Sequence, residues 1–356
     1  MLNIPGAVSA QGHDQGVTAH FGSLTKDQKK LLASRKNTFV HLANHGILQL
    51  HGSDAQDWLN SLTSQELMHL KSGESAETLI LTPQGRVEHQ LKVIKDEDFL
   101  WLLVEGHDKD TAKAWLKSMV FMKDIQIKDV SDKYAVLGAL TNETKLKPTA
   151  IWIDNWAEVQ PGGHAYGDTI EDQGAWSYAE LILPNSELEE LKDQVNWVGI
   201  DAFEALRIMA ARPRFGFETD DKTIPHELNW LRSAVHLNKG CYRGQETVAK
   251  VHNVGHPPRR LVLLHVDGSN HAFPKHGQEV LQCEKVVGKV TTGGFHHEWG
   301  PVALAIIKRT VPADAQLKLK DGSACSQEIV VPLDAGATVI VDRKRFLSND
   351  ARKPLM

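Results

Sequence analysis

Hydrophobic and polar residues repeat with two different periods along this chain, and each change of period marks a new element. After Gly52-Ser53, apolar residues recur at Ala55, Trp58, Leu59 and Leu62, the i, i+3, i+4, i+7 spacing of one helix face. Ser53 and Gln56 have the spacing of a capping box at its start. Leu79-Ile80-Leu81 leads through Pro83-Gln84-Gly85 into Val87 to Ile94, where Leu91 and Val93 alternate with Gln90 and Lys92. That pair predicts a hairpin. Phe99 to Val104 is apolar throughout and predicts a buried strand. Ala112, Trp115, Leu116, Met119 and Val120 form a second helix face. Ile125, Ile127 and Val130 alternate as a strand, and Tyr134 to Leu140 predicts another. From Phe39 to Thr141 the expectation is two helices layered on one antiparallel sheet.

The next stretch repeats the theme. Ile151-Trp152-Ile153 and Glu180-Leu181-Ile182-Leu183 read as strands. A helix is expected after Ser186, capped with Glu189, and another after Gly199, with Asp201 and Glu204 as its capping pair and Ile200, Phe203, Leu206 and Ala210 inward. Pro213 is expected to end it. Pro257-Pro258 is the strongest break. Beyond it, short apolar runs at Leu261 to Val266, Val286 to Thr291, Leu304 to Ile307, Leu317 to Leu319, Ile329 to Val331 and Thr338 to Val341 predict a small β-barrel. The organisation expected is a polar arm over 1–36, with a short helix started by Thr25-Lys26-Asp27-Gln28. An α+β domain follows over 37–145, a second over 146–256, the barrel over 257–346 and a basic tail over 347–356.

Composition narrows the function classes. Hydrophobic residues make up 41 % and charged residues 24 %, enough to bury cores. A net charge of −5 argues against a generic phosphate-backbone binder, so no direct nucleic-acid contact is expected. No apolar run exceeds the six residues of Phe99 to Val104, far short of the about 20 residues a membrane span needs. The first residues have neither a basic start nor an apolar stretch, so no secretion signal is expected. Three cysteines are too few, and odd in number, for a disulfide framework, which points to the reducing cytoplasm. No metal site is expected among the 18 histidines. His252 and His256 are spaced i, i+4, but Gly255 and Pro257 argue against a helix there. His296-His297-Glu298 reads as a solvent-facing turn.

The densest chemistry lies in Lys239-Gly240-Cys241-Tyr242-Arg243-Gly244-Gln245-Glu246. Glycines on both sides let the backbone turn tightly and a ligand approach. Neighbouring Lys239 and Arg243 would favour thiolate over thiol at Cys241. Glu246 could orient Lys239 or accept a ligand N–H. Cys283 and Cys325 have no Cys-x-x-Cys partner, so a private iron–sulfur cluster, which takes about four thiolates, is not expected.

This stretch matches K-G-C-[FY]-x-G-Q-E, and the chain resembles the YgfZ-type folate-binding proteins, relatives of the glycine-cleavage T-protein, an aminomethyltransferase. Further likeness lies in Gly46 to Gly52 with Asp54-Ala55, Leu81 to Arg86, Leu206-Arg207, Pro225-His226-Glu227 and Val287 to Thr292. The resemblance implies a ring of two α+β domains and a C-terminal β-barrel around a hole that holds tetrahydrofolate. It implies a role in assembling or repairing iron–sulfur clusters of client enzymes, including tRNA-modifying ones, with Cys241 as working thiol beside Lys239. In the T-protein a catalytic aspartate follows the hairpin turn. Here the matching place holds Arg86-Val87-Glu88-His89, leaving Glu88 and His89 both open. Glu180 resembles the acid that grips the pterin, because a carboxylate can accept two N–H bonds from the amino-pyrimidine edge. Arg207, Tyr242, Arg243, Gln245 and Glu246 are the other cofactor-binding candidates. The alternative activity is a folate-dependent aminomethyltransferase or demethylase, and a third reading is a ring that binds folate without chemistry.

Overall fold

The strand Thr38–His41 joins the second of two five-stranded sheets before the first sheet has begun. In the computed structural model, which describes residues 4–167, 176–269 and 273–339, the chain crosses between these sheets twice. The first sheet has the order Ser75–Leu81, Val87–Lys95, Phe99–Val104, Gly46–His51, Gln126–Asp129, antiparallel throughout. The second has the order Ala150–Ile153, Ala179–Pro184, Tyr134–Ala139, Thr38–His41, Asn196–Trp197, with only the last pair parallel. The expected single sheet over Phe39 to Thr141 is therefore corrected. Val40 pairs with Gly138, and Glu180 lies opposite the same Gly138. An apolar run identifies a buried strand but does not name its partner.

The helices are α1 (Leu24–Ala33), α2 (Ala55–Leu62), α3 (Lys109–Ser118), α4 (Leu188–Leu191), α5 (Ile200–Met209) and α6 (Gln245–Val254). Trp58 and Leu59 of α2 and Ala112 and Leu116 of α3 cover one face of the first sheet, against Leu48, Leu50, Leu91 and Leu102. The opposite face, with Leu79, Leu81 and Leu103, joins a central core that includes Val136, Trp152, Ile182 and α5. Helix α5 is buried on nearly every side, including at Ala202, Phe203, Ala205, Arg207 and Ile208, because α1, Thr18–His20 and a barrel strand all pack on it.

The barrel closes in the order Arg259–Val266, Gly300–Lys308, Lys285–His296, Glu279–Gln282, Leu317–Leu319, Ala324–Ile329, which leaves no sheet edge. Glu279–Gln282 escapes a sequence reading because polar Glu279 and Gln282 flank its two apolar residues. The run expected at Ile329 to Val331 instead pairs over Ala324–Ile329. Thr338 and Val339 are not a strand; their N–H groups donate to the carbonyls of His252 and Asn253 at the end of α6. Ile340 and Val341 lie outside the described residues.

Three capping expectations are also corrected. Gln56 donates to the Leu67 carbonyl at 2.7 Å and Ser53 Oγ to Asp124 at 3.1 Å, so they do not cap each other. Glu189 pairs with Lys192, and the turn before α4 has no side-chain cap. Gly199 holds the N-cap of α5, while Glu204 turns to arginines. Helix α5 stops at Met209, ahead of Pro213. Helix α3 stops at Ser118, and Phe121 and Met122 beyond it are 78 % and 92 % exposed. The N-terminal arm is part of the frame: Asp14 is buried against Arg214, and Gln28 bonds the backbone of Phe295 and His297.

Asp201 in the first turn of α5 supplies a pH test. Burial pushes its carboxyl up to about 6; His20 pulls the other way, and Glu204, Asp14 and Asp27 add to the rise. A raised acid supports the fold below its unfolded pKa and loses that support as pH rises through its folded one. Asp201→Asn is expected to stabilise the protein by about 1–2 kcal/mol at pH 8 and to change little at pH 4. Urea midpoints at the two pH values check this, and an equal change at both would refute it.

Candidate functional site

Strand Val87–Lys95 sets the site, because its side chains alternate between two faces. Leu91 and Val93 share one face with His89, and His89 is held in the helix layer. Its Nδ1 lies 2.8 Å from Asp108 and its ring meets Trp115 edge-on. Gln90 and Lys92 share the other face. Gln90 and Lys92 are buried and line a cavity between the two sheets and α5. Their polar pattern resembles a solvent face in sequence, but the second sheet covers it.

Glu180, on Ala179–Pro184, faces Lys92 across this cavity and is 1 % exposed. Its Oε1 accepts from Lys92 Nζ and from the Tyr178 hydroxyl at 3.0 Å, with His45 Nε2 3.6 Å away. Its Oε2 is buried without a hydrogen-bond partner. Burial alone would raise the Glu180 carboxyl, but Lys92 and His45 outweigh it and hold it down to about 2. A buried, ionised oxygen without a donor is unfavourable unless a ligand supplies one. Trp152, Trp176, Tyr178 and Phe203 add aromatic walls.

A frame of buried ion pairs surrounds these groups. Arg214 pairs with Asp14 at 2.7 Å, Glu105 at 2.8 Å and Glu204 at 3.3 Å. Arg212 pairs with Glu77 and Asp154. Arg207 also lines the cavity, but its Nε, Nη1 and Nη2 donate to Glu204, Glu218, Thr292 and the Arg212 carbonyl. All five of its N–H groups are engaged, so Arg207 is placed in the frame and not as a free ligand donor.

The Lys239 to Glu246 loop sits elsewhere. Lys239 is buried, and its Nζ donates to the carbonyls of Asn60, Thr63 and Gln65 at 2.7–2.9 Å and to Asn60 Oδ1 at 3.0 Å. Burial lowers its pKa to about 8, which leaves it largely charged at neutral pH. The ammonium thus ties the loop to the end of α2. Gln245 donates to the Lys239 carbonyl, and Glu246 is exposed at the start of α6, so the expected Glu246–Lys239 link is absent. Tyr242 is buried in the central core, and its hydroxyl has no partner. Arg243 donates to Glu88 at 2.7 Å, so Glu88 turns to the loop and not into the cavity. Gly85 and Gly244 both have positive φ. A Cβ on Gly244 would meet the Thr82 carbonyl at 2.6 Å, so the hairpin turn and the loop fit only as glycines.

Cys241 is exposed at this seam. Cys241, Tyr242, Arg243, Gln245, Glu246, Glu88 and His89 are not among the described residues lining the cavity, whereas Glu180 and Arg207 are. Sequence reasoning missed Lys92, His45, Trp152, Tyr178, Arg212 and Arg214. The one signal was the polar set Gln90 and Lys92 opposite an apolar face. Among the described residues no group of three or more His, Cys, Asp or Glu could hold a metal ion. His252 does lie in helix α6, bonded to the Tyr166 hydroxyl at 3.0 Å, and His296 is buried in a barrel strand, not in a solvent-facing turn. No helix among the described residues is long and apolar enough to cross a membrane.

Comparison with known proteins agrees with this fold. Residues 33–140 match the GCVT N-terminal domain. The chain is 27 % identical over 338 residues to an aminomethyltransferase of Rippkaea orientalis, covering 87 % of this chain and 88 % of that protein. It is 29 % identical over 290 residues to an aminomethyltransferase of a Nostoc species, covering 75 % of each. The crystal structure of glycine cleavage system aminomethyltransferase T from Bartonella henselae superposes with a TM-score of 0.70 at 18 % identity, over 92 % of this chain and 94 % of that one. The fold is that of a glycine-cleavage T-protein, with the barrel at its C-terminal end.

Proposed function

We propose, from a T-protein-like fold whose sequence relatives are named aminomethyltransferases, that the cavity at Glu180 binds tetrahydrofolate. The observation behind this reading is Glu180 Oε2, an ionised, buried acceptor with no donor of its own. The amino-pyrimidine edge of a pterin supplies N–H donors to such an oxygen, and the aromatic walls suit its flat ring. Calorimetric titration with tetrahydrofolate tests it; well-folded protein that takes up no ligand sinks the proposal.

The role proposed for the loaded protein is accessory: support of iron–sulfur assembly or repair in client enzymes, in the cytoplasm, with Cys241 as working thiol. The exposure of Cys241 favours this reading, because it leaves the thiol open to a protein partner while the folate stays buried. Cys241→Ala is expected to leave tetrahydrofolate affinity within about two-fold, since the thiol does not line the cavity. The same substitution is expected to lower iron–sulfur enzyme activity in cells to the level of a deletion strain. Full client activity in cells producing the variant would remove the thiol from the mechanism.

The second reading is an aminomethyltransferase, favoured by the names of the relatives. The ion pair of Glu88 with Arg243 weighs against it, because it occupies the carboxylate nearest the place of the T-protein aspartate. Formation of methylene-tetrahydrofolate from a methylamine carrier would establish it.

A further inference from the structure

Beside Glu180 the cavity presents a second polar group that no part of the folate reading has used. Lys92 Nζ is buried against Glu180, and its described hydrogen bond uses one of three N–H groups. On its other side lies the Trp152 ring, with the centroid 5.1 Å away, which attracts the cation but accepts no conventional hydrogen bond. Of the neighbouring arginines, Arg207 and Arg214 have every N–H group committed to protein acceptors, and Arg212 gives three of its five to Asp154, Glu77 and the Pro213 carbonyl. Gln90, two residues along the same strand face, gives its amide to Glu77. The wall therefore offers an open acceptor, Glu180 Oε2, next to an open donor, Lys92 Nζ.

A 2-amino-4-oxo-pyrimidine edge shows the complementary order, with N–H donors followed by a carbonyl acceptor. Resting on the folate reading, we propose that Lys92 is a specificity residue that donates to the 4-oxo group of the pterin while Glu180 accepts from its N–H edge. The ion pair between the two side chains sets their spacing and presents them to the ligand as one unit. A ligand with an amino group at position 4 would bring a donor to the Lys92 donor and would also lack the N3–H that Glu180 accepts, and its binding would suffer.

The experiment compares tetrahydrofolate with its 4-amino analogue by calorimetry on the full chain. Wild-type protein is expected to prefer the 4-oxo compound by roughly ten-fold or more, the size of one charge-assisted hydrogen bond. Lys92→Gln, whose amide can donate to an oxo group or accept from an amino group, is expected to shrink the ratio several-fold, leaving the part that Glu180 contributes through the N3–H of the 4-oxo ring. Lys92→Arg is expected to keep the preference. A merely structural role for Lys92 would weaken both ligands alike and leave the ratio unchanged, which overturns the proposal. So does a wild-type protein that binds both compounds equally, a result that needs no variant to fold. Folded wild-type protein that binds neither compound removes the folate reading itself, an outcome distinct from failure of the Lys92 assignment.

Discussion

Glu180→Gln is expected to weaken tetrahydrofolate binding by roughly 100-fold while leaving the protein folded. Among the described residues, the carboxylate is the one ionised acceptor in the cavity with an unoccupied buried oxygen. Two hydrogen bonds to a charged acceptor contribute about 1.5–3 kcal/mol each, and losing most of that pair gives the expected factor. The amide keeps the shape of the side chain but turns one acceptor oxygen into a donor, which would oppose the pterin N–H groups. It also removes the counter-charge of Lys92, so some loss of stability accompanies the loss of affinity. Calorimetry on variant protein with an intact folding transition measures the effect. Affinity within three-fold of wild type would show that the ligand does not meet Glu180. The carboxyl is held at about 2, so its support for the fold is present above the usual glutamate range and is lost progressively as pH falls from that range through about 2.

The largest effect on stability is expected at Arg214. Arg214→Met should destabilise the protein by about 3–5 kcal/mol, because it leaves Asp14, Glu105 and Glu204 buried without their shared cation. Burial disfavours the Glu105 charge, and the Arg214 guanidinium is the main force that reverses this and holds its carboxyl well below the usual range. Three segments meet at this arginine: the N-terminal arm through Asp14, the end of strand Phe99–Val104 through Glu105, and α5 through Glu204. Removing it should loosen the arm as well as the cavity wall. Chemical denaturation gives the size of the change, and hydrogen exchange at residues 8–20 shows whether the arm is released. A loss under 1 kcal/mol, or an arm that stays protected, would mean that the ion pairs contribute little to holding these segments together.

Much of the chain was legible from its pattern. The face of α2, the hairpin through Pro83-Gln84-Gly85, the strand Phe99–Val104 and most barrel strands follow from local periodicity and turn chemistry. These features depend on neighbours close in sequence. The candidate site was legible only in part. Glu180 was found through a family resemblance and lies in the cavity; the other cavity polar groups were not found. Lys92 looked like the solvent side of an amphipathic strand, since alternation separates two faces without saying what covers the polar one. Lys239 was assigned to Cys241 because the two are neighbours in sequence, yet its ammonium turns to α2, where helix-end carbonyls accept it. Arg207 was read as a ligand donor, and its acceptors, Glu204, Glu218 and Thr292, come from a helix, a loop and a barrel strand.

The sequence by itself determined most element types, the barrel, the absence of a long apolar span and the loop of Lys239 to Glu246. These rest on spacing and composition, which a linear chain displays in full. Only the tertiary structure decided which sheet each strand joins, that the polar face of Val87–Lys95 borders a cavity, and that Cys241 lies on the surface apart from Glu180. The reason is physical. A side chain's charge state and availability depend on what surrounds it in space, and for Lys92, Glu180, Arg214 and Lys239 those surroundings come from residues far away along the chain.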